Sequence, residues 1–151
     1  MTPVGWRHGA IVIKLARILG DYIEKRNLGN ISTEVGFRLS RNPDTVRAPD
    51  LAFVASGRIP AGTLSEKFVE FPPDLAAEVL SPEDTAREIL RKVEEYLAAG
   101  VALVWVVDPG TQTVTVYRSL QDVKILSANE QLDGAEVIRG LNIRVSEIFA
   151  V

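Results

Sequence analysis

The chain has 151 residues, 46% hydrophobic and 25% charged, which is the size and balance of one soluble folded domain. Its 17 basic and 20 acidic residues leave a net charge of −3, and the absence of cysteine excludes disulfides, thiolate metal sites and cysteine nucleophiles. No apolar run approaches the roughly 20 residues of a membrane span, and Met1 to Ala10 lacks the basic-then-apolar order of a secretory signal.

The first element spans Trp6 to Arg26. Ile11, Leu15, Ile18, Leu19, Tyr22 and Ile23 recur at helical spacing, with Lys14, Arg17, Asp21, Glu24 and Lys25 mostly opposite. Asn27-Leu28-Gly29-Asn30 ends this amphipathic helix. Two strands follow, Ile31–Leu39 and Val46–Val54, expected to be antiparallel neighbours around the turn-rich Arg41-Asn42-Pro43-Asp44. Residues 55–73, with Gly57, Pro60, Gly62, Pro72 and Pro73, read as a long surface loop. Asp74–Leu80 is a short apolar strand. Ser81 as N-cap and Pro82 at the first helical position open the second helix, whose buried stripe is Ala86, Ile89, Leu90, Val93, Tyr96 and Leu97, with Gly100 as C-cap. Val101–Val107 is nearly continuously apolar, a strand covered on both faces. Asp108-Pro109-Gly110 turns it into Thr113–Tyr117, its hairpin partner. Val123–Leu126 and Glu136–Ile138 read as edge strands, and Ser146–Phe149 as a closing helical turn. The order predicts an α/β fold: a mixed sheet flanked by helices, one domain over residues 1–151, with a parallel crossover from 74 to 107.

Charge is unevenly spread. Residues 1–50 carry 8 basic and 5 acidic residues, residues 51–100 carry 5 and 9, and residues 101–151 carry 4 and 6. This lacks the basic footprint of a protein that binds nucleic acid through phosphates alone, but a cluster of metal-binding acids would itself add negative charge. Glu78 stands inside the otherwise apolar Leu75–Leu80 run, where a carboxylate pays for desolvation unless paired, hydrogen-bonded or metal-bound. Asp50 follows Pro49 at the entry to another apolar strand. Two acids on neighbouring strands can share one hard cation such as Mg²⁺, which needs few carboxylates. The bland readings are a turn-forming Asp50 and a Glu78 on a water-facing edge. Lys92 lies on the helix that runs back over Glu78, and its side chain leans toward the helix N-terminus and hence toward that acid. Glu88 is spaced to pair with Lys92, which on a solvated face would be worth only a few tenths of a kcal/mol.

Pro49-Asp50, Glu78-Val79-Leu80-Ser81-Pro82 and Lys92 with Tyr96 resemble the PD-(D/E)xK nuclease pattern as it occurs in the Uma-two family of restriction-endonuclease-like proteins. Gly29 to Leu39, Pro73-Asp74-Leu75, Gly100, Trp105–Pro109 and Thr113–Tyr117 extend the resemblance over nearly the whole chain. It implies a restriction-endonuclease-like core, a divalent metal (Mg²⁺ or Mn²⁺), DNA as substrate and a homodimer. Residue by residue, it makes Asp50 and Glu78 the metal-binding acids, with a backbone carbonyl near Val79 as the third ligand. The generic lysine position, two after the second acid, is Leu80 here, and Lys92 is the match. Glu88 stands where the family commonly has Asp. His8 matches a histidine near the start of the first helix; as the sole histidine it reads as structural rather than as a base. Family members usually have an additional N-terminal strand and helix carrying an acid before the stretch matched by Pro3-Val4-Gly5; Glu34 is the candidate substitute carboxylate, although it reads first as an ordinary strand-edge acid.

The expected reaction is metal-dependent hydrolysis of DNA phosphodiesters by a cytoplasmic endonuclease. Lys14, Arg17, Lys25, Arg26, Arg38, Arg41 and Arg47 are the candidate backbone contacts. The alternatives are a catalytically inactive nuclease-fold protein that binds DNA or a protein partner, and a purely structural oligomer assembled through the Val101–Val107 and Thr113–Tyr117 strands.

Overall fold

The structure, a computed structural model, describes residues 3–60 and 66–151. Its first helix, α1, runs Trp6–Arg26 as the periodicity predicts, with Ile11, Leu15, Leu19 and Ile23 buried along one stripe. Lys25 and Arg26 sit in its last turn, where they offset the negative helix end, and Asn27 closes it in the left-handed conformation.

The two predicted strands that follow are each divided. Ile31–Leu39 becomes β1 (Gly29–Ser32) and β2 (Phe37–Ser40), and Val46–Val54 becomes β3 (Thr45–Arg47) and β4 (Leu51–Ala55). The first break falls at Glu34, whose φ of 58° no strand accommodates. β1 stays with β4 and β2 with β3, both pairs antiparallel, but β2–β3 forms a small sheet of its own. Of the loop expected over 55–73, residues 61–65 lie outside the described residues. Val69 beyond them exchanges backbone hydrogen bonds with Gly36 and Arg38, so this end of the loop is tied to β2.

β5 (Leu75–Val79), β6 (Leu103–Asp108), β7 (Thr113–Tyr117) and β8 (Val123–Leu126) complete a six-stranded sheet in the order β1-β4-β5-β6-β7-β8. Only the β5–β6 pairing within it is parallel, joined by the crossover helix α2 (Ala86–Ala98). Alternation along β5 and β6 sends Leu75, Ala77, Val79, Leu103, Trp105 and Val107 to the α1 side. Ala76, Val104 and Val106 go to the α2 side, where Phe37, Val93 and Tyr96 meet them.

α2 begins later than its sequence punctuation suggests. Thr85, not Ser81, is the N-cap: its side chain accepts the Glu88 N–H, and Glu88 reaches back to the Thr85 N–H. Ser81-Pro82 instead belongs to a turn closed by the Asp84 carboxylate on the Ser81 N–H. Leu90, read as part of the buried stripe, is 45% exposed. Ala99 is the C-cap, and Gly100 follows it at φ 94°, a conformation that suits glycine. Thr85→Ala is expected to lower stability by about 1 kcal/mol, as loss of a capping side chain usually does, measured by urea denaturation.

Residues 136–138 form no strand. Gly134 accepts the Val137 and Ile138 N–H groups in a tight turn that drops Ile138 into the core. The strands here are β9 (Gln131–Asp133) and β10 (Asn142–Arg144), paired with each other, and α3 (Val145–Ile148) supplies the expected closing turn. Among the described residues, no helix is long and apolar enough to cross a membrane.

Candidate active site

β4 and β5 are antiparallel, with pairing that runs from Phe53 opposite Leu75 to Leu51 opposite Ala77, so Asp50 and Glu78 each lie one residue beyond the last pair. A hydrogen bond ties that end together: Asp50 Oδ2 accepts the Val79 N–H at 2.7 Å. His8, in the first turn of α1, places Nε2 at 3.3 Å from the same oxygen. Both contacts fall on Oδ2 and neither uses Oδ1. The other ring nitrogen of His8 is buried without a protein partner. His8 therefore joins α1 to Asp50 at the entry to β4.

Glu78 shares the α2 side with Ala76. Among the described residues it is the one buried polar or charged residue, at 5% exposure. That rules out the water-facing edge. Tyr96 donates its hydroxyl to Glu78 Oε1 at 2.7 Å, and Lys92 Nζ lies 3.8 Å from Oε2, within ion-pair reach but beyond a hydrogen bond. Lys92 and Tyr96 are four residues apart and so face the strand together. Glu88 does not pair with Lys92, because its carboxylate is committed to the helix cap.

Burial pushes the Glu78 carboxyl up to about 7; the Tyr96 hydrogen bond and the Lys92 charge act against this, while Asp50 and Asp84 reinforce it. The opposition of Asp50 and Lys92 on one carboxyl is the electrostatic counterpart of the geometry. The Tyr96 phenol is held far above its usual range by burial and by Glu78, so it remains a donor.

The remaining candidates are scattered. Glu34 sits exposed at the bend between β1 and β2; its backbone N–H donates to the Pro49 carbonyl at 3.1 Å, while its side chain makes no ion pair among the described residues. Five of the seven cations considered for DNA contact are engaged within the chain. Lys25 pairs with Asp21, Arg26 stacks on Tyr22, Arg38 contacts Asp44 and Glu70, Arg41 shares Glu70, and Arg47 meets Glu95 at 2.6 Å. Lys14 and Arg17 make no ion pair among the described residues.

Two partners of the site were not read as such from the sequence. Tyr96 belongs to the helix's apolar stripe and, with Lys92, to the family pattern, but neither assigns its hydroxyl to Glu78. The Arg47–Glu95 pair had none, since it joins β3 to α2. Beside the site, a cleft of about 570 Å³ opens among His8, Trp6, Ser81, Asp84 and Asp108 at the C-terminal ends of β5 and β6.

On the family pattern, the oxygens that would face a cation are those of Asp50, Glu78 and the Val79 carbonyl. Among the described residues no group of three or more His, Cys, Asp or Glu side chains is placed to hold a metal ion. Two carboxylates and a carbonyl are nevertheless a hard-oxygen set that fits Mg²⁺, which keeps several waters. A buried carboxyl such as Glu78, whose ion pair with Lys92 is at the edge of contact, also suits a further positive partner.

The family model described as "Uma2: Putative restriction endonuclease" matches residues 1–146. The chain belongs to this family. The Uma2 fold is matched in a solved structure: the crystal structure of "a putative nuclease belonging to DUF820 from Anabaena variabilis ATCC 29413" superposes with a TM-score of 0.84 at 21% identity, covering 99% of this chain and 83% of that one. This likeness shows the mixed α/β architecture. None of the curated proteins matches the chain.

Proposed function

We propose that this Uma2 protein is a metal-dependent DNA endonuclease, with Asp50, Glu78 and Lys92 as its reactive constellation. The observation that supports the reading is that Asp50 accepts the N–H of Val79, the residue after Glu78, while Lys92 Nζ lies 3.8 Å from Glu78 Oε2. Membership in a family described as restriction endonucleases supports the reaction class and DNA as the substrate.

Asp50, Glu78 and the Val79 carbonyl would hold Mg²⁺ or Mn²⁺. When bound, such an ion polarises a phosphate oxygen and lowers the pKa of a coordinated water. The chain's own contributions are more specific. Asp50 is pinned through Oδ2 to the Val79 N–H, so Oδ1 is the oxygen left to face a ligand. Glu78 is held by Tyr96 on one oxygen and faces Lys92 with the other. Lys92 brings a cation to the place where negative charge grows as a phosphodiester is attacked, the kind of preorganised stabilisation worth a factor on the order of 10² to 10³. Glu88 caps α2 and thereby fixes the helix that carries Lys92. A homodimer would present two such sites, one for each strand of a duplex.

A second reading has its own support: a catalytically inactive nuclease-fold protein that binds DNA or protein. It is favoured by the lack, among the described residues, of a third side chain grouped with the two acids, and by the internal pairing of most candidate DNA-contacting cations. One assay separates the two. Purified protein should nick supercoiled plasmid with Mg²⁺ or Mn²⁺ and not with EDTA, and Lys92→Ala should slow nicking by a factor on the order of 10². No nicking with either metal, alongside retained DNA binding, decides for the inactive reading.

A further inference from the structure

Tyr96 is fully buried, and its hydroxyl is directed at Glu78, the one buried polar or charged residue among the described residues. An apolar site is a costly place for a hydroxyl unless it has a partner there, and phenylalanine would fill the same space without that cost. The hydroxyl and the Lys92 ammonium divide the carboxylate between them: 2.7 Å to Oε1 on one side, 3.8 Å to Oε2 on the other. Both come from one face of α2 at helical spacing. The Arg47–Glu95 pair, next to Tyr96 in sequence, fastens that stretch of α2 to β3. The torsions of Glu78 are thus restrained from a single rigid element.

We propose that Tyr96 is a positioning residue for metal binding: by holding Oε1, it leaves Oε2 of Glu78, the oxygen that faces Lys92, as the one to take a cation. This rests on the metal-site reading given above and adds the residue that preorganises it. A ligand carboxylate left free to rotate must be ordered when the cation binds, and loss of such an outer partner typically weakens metal affinity by about 10- to 100-fold.

The test measures Mn²⁺ binding to the whole chain by electron paramagnetic resonance, without DNA, in wild type, Tyr96→Phe and the control Tyr22→Phe. The expected result is affinity at least about tenfold weaker in Tyr96→Phe and unchanged in Tyr22→Phe. Equal affinity in wild type and Tyr96→Phe, both folded by circular dichroism, overturns the inference alone. Absence of Mn²⁺ binding in wild type overturns the metal-site reading and the inference with it. A measurement on wild type covers the case in which Tyr96→Phe does not fold. With ¹³C-labelled tyrosine, assigned through Tyr22→Phe and Tyr117→Phe, saturating Mg²⁺ should move the Cζ resonance of Tyr96 and leave the other two in place. An unmoved Tyr96 resonance counts against the proposal.

Discussion

Asp50→Asn is expected to reduce metal-dependent nicking by a factor on the order of 10³, equivalent to about 4 kcal/mol of transition-state stabilisation, while leaving the fold intact. The two halves of this expectation have different origins. Asparagine keeps a carbonyl oxygen that can accept the Val79 N–H, so the hydrogen bond joining β4 to β5 has an acceptor in the variant. What it lacks is the negative charge, and the charge is what an acid at a cation site supplies. Alanine would confound the two by leaving the Val79 N–H without its partner, a loss of about 1–3 kcal/mol in a buried setting. Nicking is followed with Mg²⁺ and with Mn²⁺ on a protein whose melting temperature is checked in EDTA. Wild-type nicking rates in a folded Asp50→Asn variant would remove Asp50 from the chemistry.

The second large effect concerns stability rather than rate. In the folded chain the Glu78 carboxyl is raised from about 4.5 to about 7, chiefly by burial. A carboxyl that is harder to ionise when folded holds its proton in the native state while the unfolded chain has already released it. Its contribution to stability is therefore complete below about pH 4.5 and is lost as pH rises through about 7. The shift amounts to about 3 kcal/mol. Glutamine has the same shape and keeps an acceptor for Tyr96 but does not titrate. Urea denaturation in EDTA should show Glu78→Gln gaining about 3 kcal/mol on wild type between pH 4.5 and pH 8. Parallel pH profiles would show that Glu78 is solvated like a surface acid. Adding Mg²⁺ at pH 8 to a hundredfold excess over its dissociation constant should then return about 3 kcal/mol to wild type and nothing to Glu78→Gln.

These expectations concern an acid that was visible as an anomaly before any fold was known. An ionisable residue in the middle of Leu75–Leu80 violates the pattern around it, and the violation is local. The same holds for α1, whose bounds follow from a sustained 3.6-residue period closed by Asn27. Capping was less legible. Ser81-Pro82 carries stronger sequence punctuation than Thr85, yet Asp84 draws the Ser81 N–H into a turn and the helix waits for the Thr85–Glu88 box. Strand pairing was less legible still. The alternation over Ile31–Leu39 does not reveal that Glu34 adopts a left-handed conformation and sends the two halves to different sheets.

Read one residue after another, the chain suffices for the amphipathic helix, the doubly covered strand, the hairpin after Asp108 and the suspicion attached to Asp50, Glu78 and Lys92. Each of these depends on neighbours within a few positions, where periodicity and desolvation act. The tertiary structure alone settled that Asp50 Oδ2 meets the Val79 N–H, that Tyr96 rather than a second charge meets Glu78 Oε1, and that Arg47 is spent on Glu95. Those contacts join residues 18 to 48 positions apart. They depend on register, crossover placement and side-chain reach to within an ångström or so, and no local pattern records distances of that kind.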